Sequence, residues 1–178
     1  MTFDILIKNA KTRTTGSTLM QIGIESGKIV KIAEKVEGEA KQTIDAGSNL
    51  VTESFVNGHL HLCKVYTLAM MDDEALSAYT DGDMGGAMTA IELAAKVKEK
   101  YDETWIIKNV RKALDLAVKY GNTHIRAFAD TDTTGKLEGV KALLKAREEY
   151  KGRVEVQVVA FPQDGVVRDP GAEQYVEE

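Results

Sequence analysis

Two histidines spaced to share a face are the residues of this chain best suited to chemistry. His59 and His61 close the run F-V-N-G-H-L-H-L over residues 55–62. Side chains two apart on a strand point the same way, so both imidazoles can converge on one metal ion. Gly58, just before them, carries no side chain and lets other groups come close to the backbone. H-x-H by itself is a weak signal, because two satisfied core histidines give the same pattern. Cys63 continues the alternation and invites a His-x-His-x-Cys site. Geometry opposes it: positions four apart on a strand are separated by about 13 Å, and a cysteine side chain is short. His124 reads as a packing or surface residue; Asp130 and Asp132 could touch the mouth of the site, but turn-forming aspartates are the preferred reading.

The elements that must position these residues fall into two textures. Up to about residue 50 the chain reads as short strands with turns. Phe3, Ile5 and Ile7 alternate with polar residues, and Met20, Ile22 and Ile24 repeat the pattern. The turn E-S-G at 25–27 leads into Ile29, Val30 and Ile32, which predicts a hairpin. Residues 43–45 and 50–51 read as further short strands. About 50 residues of strand do not close a core alone, so this unit needs more chain or a packing partner.

From Ser54 onward, strands alternate with helices. Residues 55–62 read as a buried strand, and the polar, glycine-rich stretch 72–86 reads as a loop. Ala90, Leu93, Ala94, Val97 and Tyr101 follow helical spacing. The D-E-T at 102–104 can cap a second helix bearing Ile106, Val110, Ala113, Leu114 and Ala117 on one stripe, with Gly121 ending it. Residues 123–129 form the next strand; Leu137, Val140, Leu144 and Tyr150 mark a helix; residues 154–161 form a third strand. Apolar strands separated by helices indicate a parallel α/β sheet. Residues 170–178 read as the first turns of another helix.

Composition narrows the function classes. The chain has 178 residues, 43% of them hydrophobic, which suits a globular fold. Lys+Arg 23 against Asp+Glu 28 gives a net charge of −5, with no basic stripe, which argues against a nucleic-acid partner. A single cysteine excludes an internal disulfide and fits a reducing compartment. No apolar run approaches the roughly 20 residues that span a bilayer, and the N-terminus lacks the form of a secretory signal, so a cytoplasmic protein without membrane contact is expected. The zinc deaminases built on H-x-E and P-C-x-x-C are excluded, because the chain has one cysteine and no H-x-E.

Three segments together resemble the cytosine deaminase branch of the amidohydrolase superfamily. They are F-V-N-G-H-L-H-L with Lys64 shortly after, G-N-T-H-I-R-A-F-A-D over 121–130, and V-Q-V-V-A-F-P-Q-D-G over 156–165. The last is similar to that branch's V-A-F-P-Q-x-G run and is the most specific of the three. The resemblance implies the first three βα units of a (β/α)8 TIM-type barrel over 54–178, preceded over 1–53 by the strands of part of a small β-sandwich domain, in a truncated chain. Active sites of such barrels lie at the C-terminal ends of the strands.

On that resemblance His59 and His61 match the first two metal ligands, the ion being zinc or iron. Gln163 matches the residue whose amide reads the substrate ring, with a loop hydrogen bond as its plain alternative. At the position of Cys63 the family often carries an acidic residue. The implied reaction is hydrolytic deamination of cytosine or a related nitrogen heterocycle, such as a triazine, by a metal-activated water. The alternatives are a non-catalytic fragment or assembly module of the same fold, and a dihydroorotase-like cyclic amide hydrolase. The resemblance places the acid-base residues on later strands, beyond Glu178, so the 178-residue chain alone is expected to be inactive. Its open strand edges are expected to pair with the rest of the chain or with another subunit, in a homo-oligomer.

Overall fold

The structure is a computed structural model that describes residues 2–71, 73, 76, 77 and 95–178. The chain divides into two compact units, Met1–Glu53 and Ser54–Glu178.

The first unit is one four-stranded sheet. Its strands are β1 (Thr2–Ala10), β2 (Met20–Glu25), β3 (Lys28–Ala33) and β4 (Glu39–Asp45), in the order β3-β2-β1-β4. β1 and β4 run parallel and the other pairs antiparallel. The β2–β3 turn is Ser26-Gly27, with φ of 52° and 73°, the left-handed pair that a tight hairpin requires. Phe3, Leu6 and Val36 form the buried cluster. Gly23 is needed there, because a Cβ in its place would lie 2.7 Å from the Phe3 ring. Ile5 and Ile7 are only half-buried, and Ile29, Val30 and Ile32 stand exposed on the edge strand β3. Residues 50–51 form no strand; only an isolated bridge joins Leu50 to Lys11.

The second unit carries the chemistry. Strands β5 (Phe55–Leu60), β6 (Asn122–Asp130) and β7 (Glu155–Phe161) form a parallel sheet in chain order. Parallel neighbours need long crossovers, and helices α1 (Glu103–Lys119) and α2 (Glu138–Glu149) lie within them. α1 starts where the Asp102 carboxylate accepts from the Thr104 N–H at 2.8 Å. It ends at Gly121, whose φ of +79° a side chain would strain. Ile106, Val110 and Leu114 of α1 meet Ile125, Ala127 and Ala129 of β6 and Ala142, Leu143 and Ala146 of α2 in one core. Full burial of each larger apolar side chain contributes about 2 kcal/mol. A short helix α3 (Ala172–Glu177) follows at the C-terminus.

Two expectations change, and a third falls mostly outside the described residues. β5 stops at Leu60, and residues Leu62–Lys64 turn into a 3-10 helix. Cys63 therefore leaves the strand alternation and points into the core. β5 is also less buried than its composition suggests: Phe55 and Val56 are 59% and 70% exposed, because only β6 lies beside this edge strand. The helix expected through Ala90, Leu93 and Ala94, and most of the loop expected over 72–86, lie outside the described residues. Within the described part, Lys96–Lys100 is a 3-10 turn.

Candidate functional site

The C-terminal ends of β5, β6 and β7 bring together side chains far apart in sequence. β5 delivers His59 within the strand and His61 just past its end, and their Nε2 atoms face each other at 3.2 Å. Phe128 of β6 and Phe161 of β7 hold the two rings. His59 stacks on Phe128 with centroids 4.3 Å apart, and His61 meets Phe161 edge-on at 5.1 Å. A Cβ at Gly58 would meet nothing within 4 Å, so no described protein group crowds its backbone. His61 Nδ1 is buried without a hydrogen-bond partner and lies 3.9 Å from Asp130 Oδ1. Burial, and then the Lys64 charge, hold the His61 pKa below its ordinary value against the opposing pull of Asp130. A neutral imidazole is the form that ligates metals.

The 3-10 turn after β5 supplies the second half of the site. Lys64 Nζ reaches Asp130 Oδ1 at 3.0 Å and Oδ2 at 3.2 Å, and donates to Gln163 Oε1 at 2.6 Å. Asp130, the last residue of β6, is fully buried. The Tyr101 hydroxyl also donates to its Oδ2, at 3.0 Å. Burial raises the Tyr101 pKa, keeping the hydroxyl a donor. Cys63 packs below, accepting from the Asp130 N–H at 3.4 Å, and burial pushes its thiol up to about 11. A Cβ at Gly139 would lie 3.0 Å from that of Cys63, so α2 can pass this turn closely only with glycine there.

A further ion pair ties the loops together. Lys98 donates to Asp132 at 2.8 Å and to Asp164 at 2.7 Å. Burial opposes its charge, but the two carboxylates outweigh it and raise its pKa. Asp132 also accepts from the Thr134 and Gly135 N–H groups, so it forms a turn as expected while pairing with Lys98. A cavity of about 760 Å³ opens among these groups, lined in part by His61, Lys64, Lys98, Tyr101, Asp130 and Gln163.

The structure thus brings His59, His61 and Gln163 to one end of the sheet. His124 is exposed at the start of β6, the opposite end, bonded to Thr123. Asp130 is the residue whose reading changes most, from a turn aspartate to the buried centre of the network. Its place at the end of an apolar strand was the available signal, since barrel sites gather there. Lys98 and Tyr101 carried no comparable signal.

The paired Nε2 atoms suit a cation, with two imidazoles as its donors, while His61 Nδ1 faces Asp130 on the other side of the ring. Among the described residues no group of three or more His, Cys, Asp or Glu is placed to hold a metal. The described residues thus offer two donors where zinc sites use three or four.

A model of the amidohydrolase family matches residues 42–176. The chain belongs to the amidohydrolase family, a group of metal-dependent hydrolases. It is 33% identical over 174 residues to the N-isopropylammelide isopropyl amidohydrolase of Pseudomonas sp. (strain ADP), covering 98% of this chain and 42% of that protein. The crystal structure of N-isopropylammelide isopropylaminohydrolase from Burkholderia multivorans ATCC 17616 superposes with a TM-score of 0.74 at 26% identity, covering 96% of this chain and 40% of that one. The 5-methylcytosine deaminase of Klebsiella pneumoniae, liganded with 5-fluorocytosine, shares the fold at 22% identity, with a TM-score of 0.74 over 96% of this chain and 39% of that one. The chain spans about two fifths of the length of these relatives. Its second unit is an incomplete α/β barrel of this family, holding three of the strands. Among the described residues no helix is long and apolar enough to cross a membrane.

Proposed function

We propose that this chain carries one side of an amidohydrolase site and is non-catalytic by itself. The observation that carries the reading is the convergence of two imidazoles with no third donor beside them among the described residues. His59 and His61 would hold one divalent ion, zinc or iron. When bound, that ion supplies Lewis acidity, which lowers the pKa of water into the neutral range. Phe128 and Phe161 orient the two rings, and Lys64, Asp130 and Tyr101 form a fixed polar wall. Gln163 faces a heterocycle in the cavity. No described residue stands in an obvious acid-base role, so the proton transfers that expel an amine call for groups outside this set.

Completed by such groups, from further chain or from another subunit along β5 or β7, the site would hydrolyse an exocyclic C–N bond of a nitrogen heterocycle. Cytosine and N-alkylamino triazines are the ring classes most in keeping with the relatives. The first unit would then be part of a small β-sandwich domain, and a homo-oligomer in the cytoplasm the working form.

The assay is direct. The 178-residue chain, supplied with zinc or ferrous ion, is incubated with cytosine and with N-isopropylammelide, and release of ammonia or isopropylamine is followed. No turnover is expected. Sustained, metal-dependent release by the chain alone would overturn the half-site reading.

A further inference from the structure

The loop between β7 and α3 is tied at both ends and fastened in its middle by groups that can let go. At its start the Thr131 N–H donates to the Phe161 carbonyl at 3.0 Å. At its far end Asp169 accepts from the Thr133 N–H at 2.8 Å and from the Thr133 hydroxyl. Both ties run to the short segment after β6, so they mark a line about which residues 163–168 can swing. Val166 and Val167 stand exposed, and a Cβ at Gly165 would meet nothing within 4 Å. Packing at these three positions does not hold the loop down.

Two lysines hold it instead, in the same arrangement. Lys98 donates to Asp132 at 2.8 Å and to Asp164 at 2.7 Å. Lys64 donates to Asp130 at 3.0 Å and to Gln163 at 2.6 Å. In each case the carboxylate from the end of β6 is buried and the loop residue is exposed. The Asp132 side chain is 3% exposed and the Asp164 side chain 52%. Asp132 is fixed further by the Thr134 and Gly135 N–H groups, and Asp130 by the Tyr101 hydroxyl. If the loop swings out, each lysine keeps its buried carboxylate and Asp164 passes into water. No charge is stranded in the interior, and that is the costly event in breaking a buried pair.

We infer that residues 163–168 form a strap beside the cavity, hinged on Thr131 and Thr133 and latched by the Lys98–Asp164 pair. Gln163 and Asp164 line the cavity, so release of the latch opens the wall they form. One charge-assisted hydrogen bond at a half-exposed carboxylate leaves the open form a minor state, on the order of 1%. Such a flap admits or releases a small molecule in microseconds to milliseconds without unfolding the sheet. Neither metal nor substrate enters into this motion, so its test stands apart from the proposed reaction.

Nitrogen relaxation dispersion on the labelled 178-residue chain reads such exchange residue by residue. Exchange is expected over 163–168, with Ile125 and Ala127 of β6 and the hinge residues Thr131 and Thr133 flat. Asp164→Ala removes the latch and should raise the open population about tenfold. Asp164→Asn keeps an acceptor without the charge and should fall between that variant and the native chain. Arg168→Gln removes an exposed charge of the same loop that takes no part in the latch, and should change the population less than about twofold. If native exchange is too small to detect, its appearance over 163–168 in Asp164→Ala supports the latch equally. A strap that moves no more in Asp164→Ala than in Arg168→Gln would overturn it. So would exchange spreading equally into Ile125 and Ala127, because Asp164 would then belong to the frame of the sheet. Failure of Asp164→Ala to fold overturns the latch for the same reason.

Discussion

The two ends of the site differ in how far they are finished. Around Lys64, charges are matched: the buried Asp130 accepts from Lys64 and Tyr101, and the buried Lys98 donates to Asp132 and Asp164. Around His59 and His61, the polar atoms have only each other, and one buried nitrogen has no partner. Leaving a buried charge without its partner is costly, so Asp130 and Lys98 need the partners they have here. An imidazole can stay neutral at modest cost and wait for a ligand. On the proposed reading, the contrast separates a frame closed among the described residues from a histidine pair that would take further donors.

Substitutions at the two ends should therefore have opposite signatures. Lys64→Met has the largest expected effect on stability. It leaves the Asp130 carboxylate with Tyr101 as its one side-chain donor, and urea unfolding should register a loss of about 3 kcal/mol. Tyr101→Phe removes one hydrogen bond to the same buried carboxylate and should cost about 1.5 kcal/mol by the same measurement. His59→Ala and His61→Ala should each cost under about 1 kcal/mol, because they give up ring contacts with Phe128 or Phe161 and no hydrogen bond to a charged group. If either histidine variant were as destabilising as Lys64→Met, the histidine pair would be part of the frame, and the contrast would fail.

The strand pattern and the histidine pair were legible in the sequence because both are local. Two residues on one strand share a face whatever the rest of the chain does, and His59 and His61 do meet. The partners of Lys64 were not legible. They lie 66 and 99 residues away, and nothing in the spacing says that the ends of β6 and β7 converge on the turn after β5. Asp130 followed by Thr131 and Asp132 has the composition of a turn, which hid a fully buried carboxylate. Cys63 was misplaced for a related reason. Strand alternation ends at Leu60, where the chain folds into a 3-10 turn that carries the thiol into the core against Gly139. Phe55 and Val56 read as core because apolar composition cannot distinguish a central strand from an edge.

The central claim, that His59 and His61 form an under-supplied metal corner, is tested most directly by titrating the native chain and three variants with zinc and measuring bound metal. The native chain should bind weakly, with two protein donors among the described residues where catalytic zinc uses three. His59→Ala and His61→Ala should each lose that binding, and His124→Ala, changed at the opposite end of the sheet, should keep it. Full metal occupancy retained by His59→Ala would contradict the account and remove the chemical basis for the site.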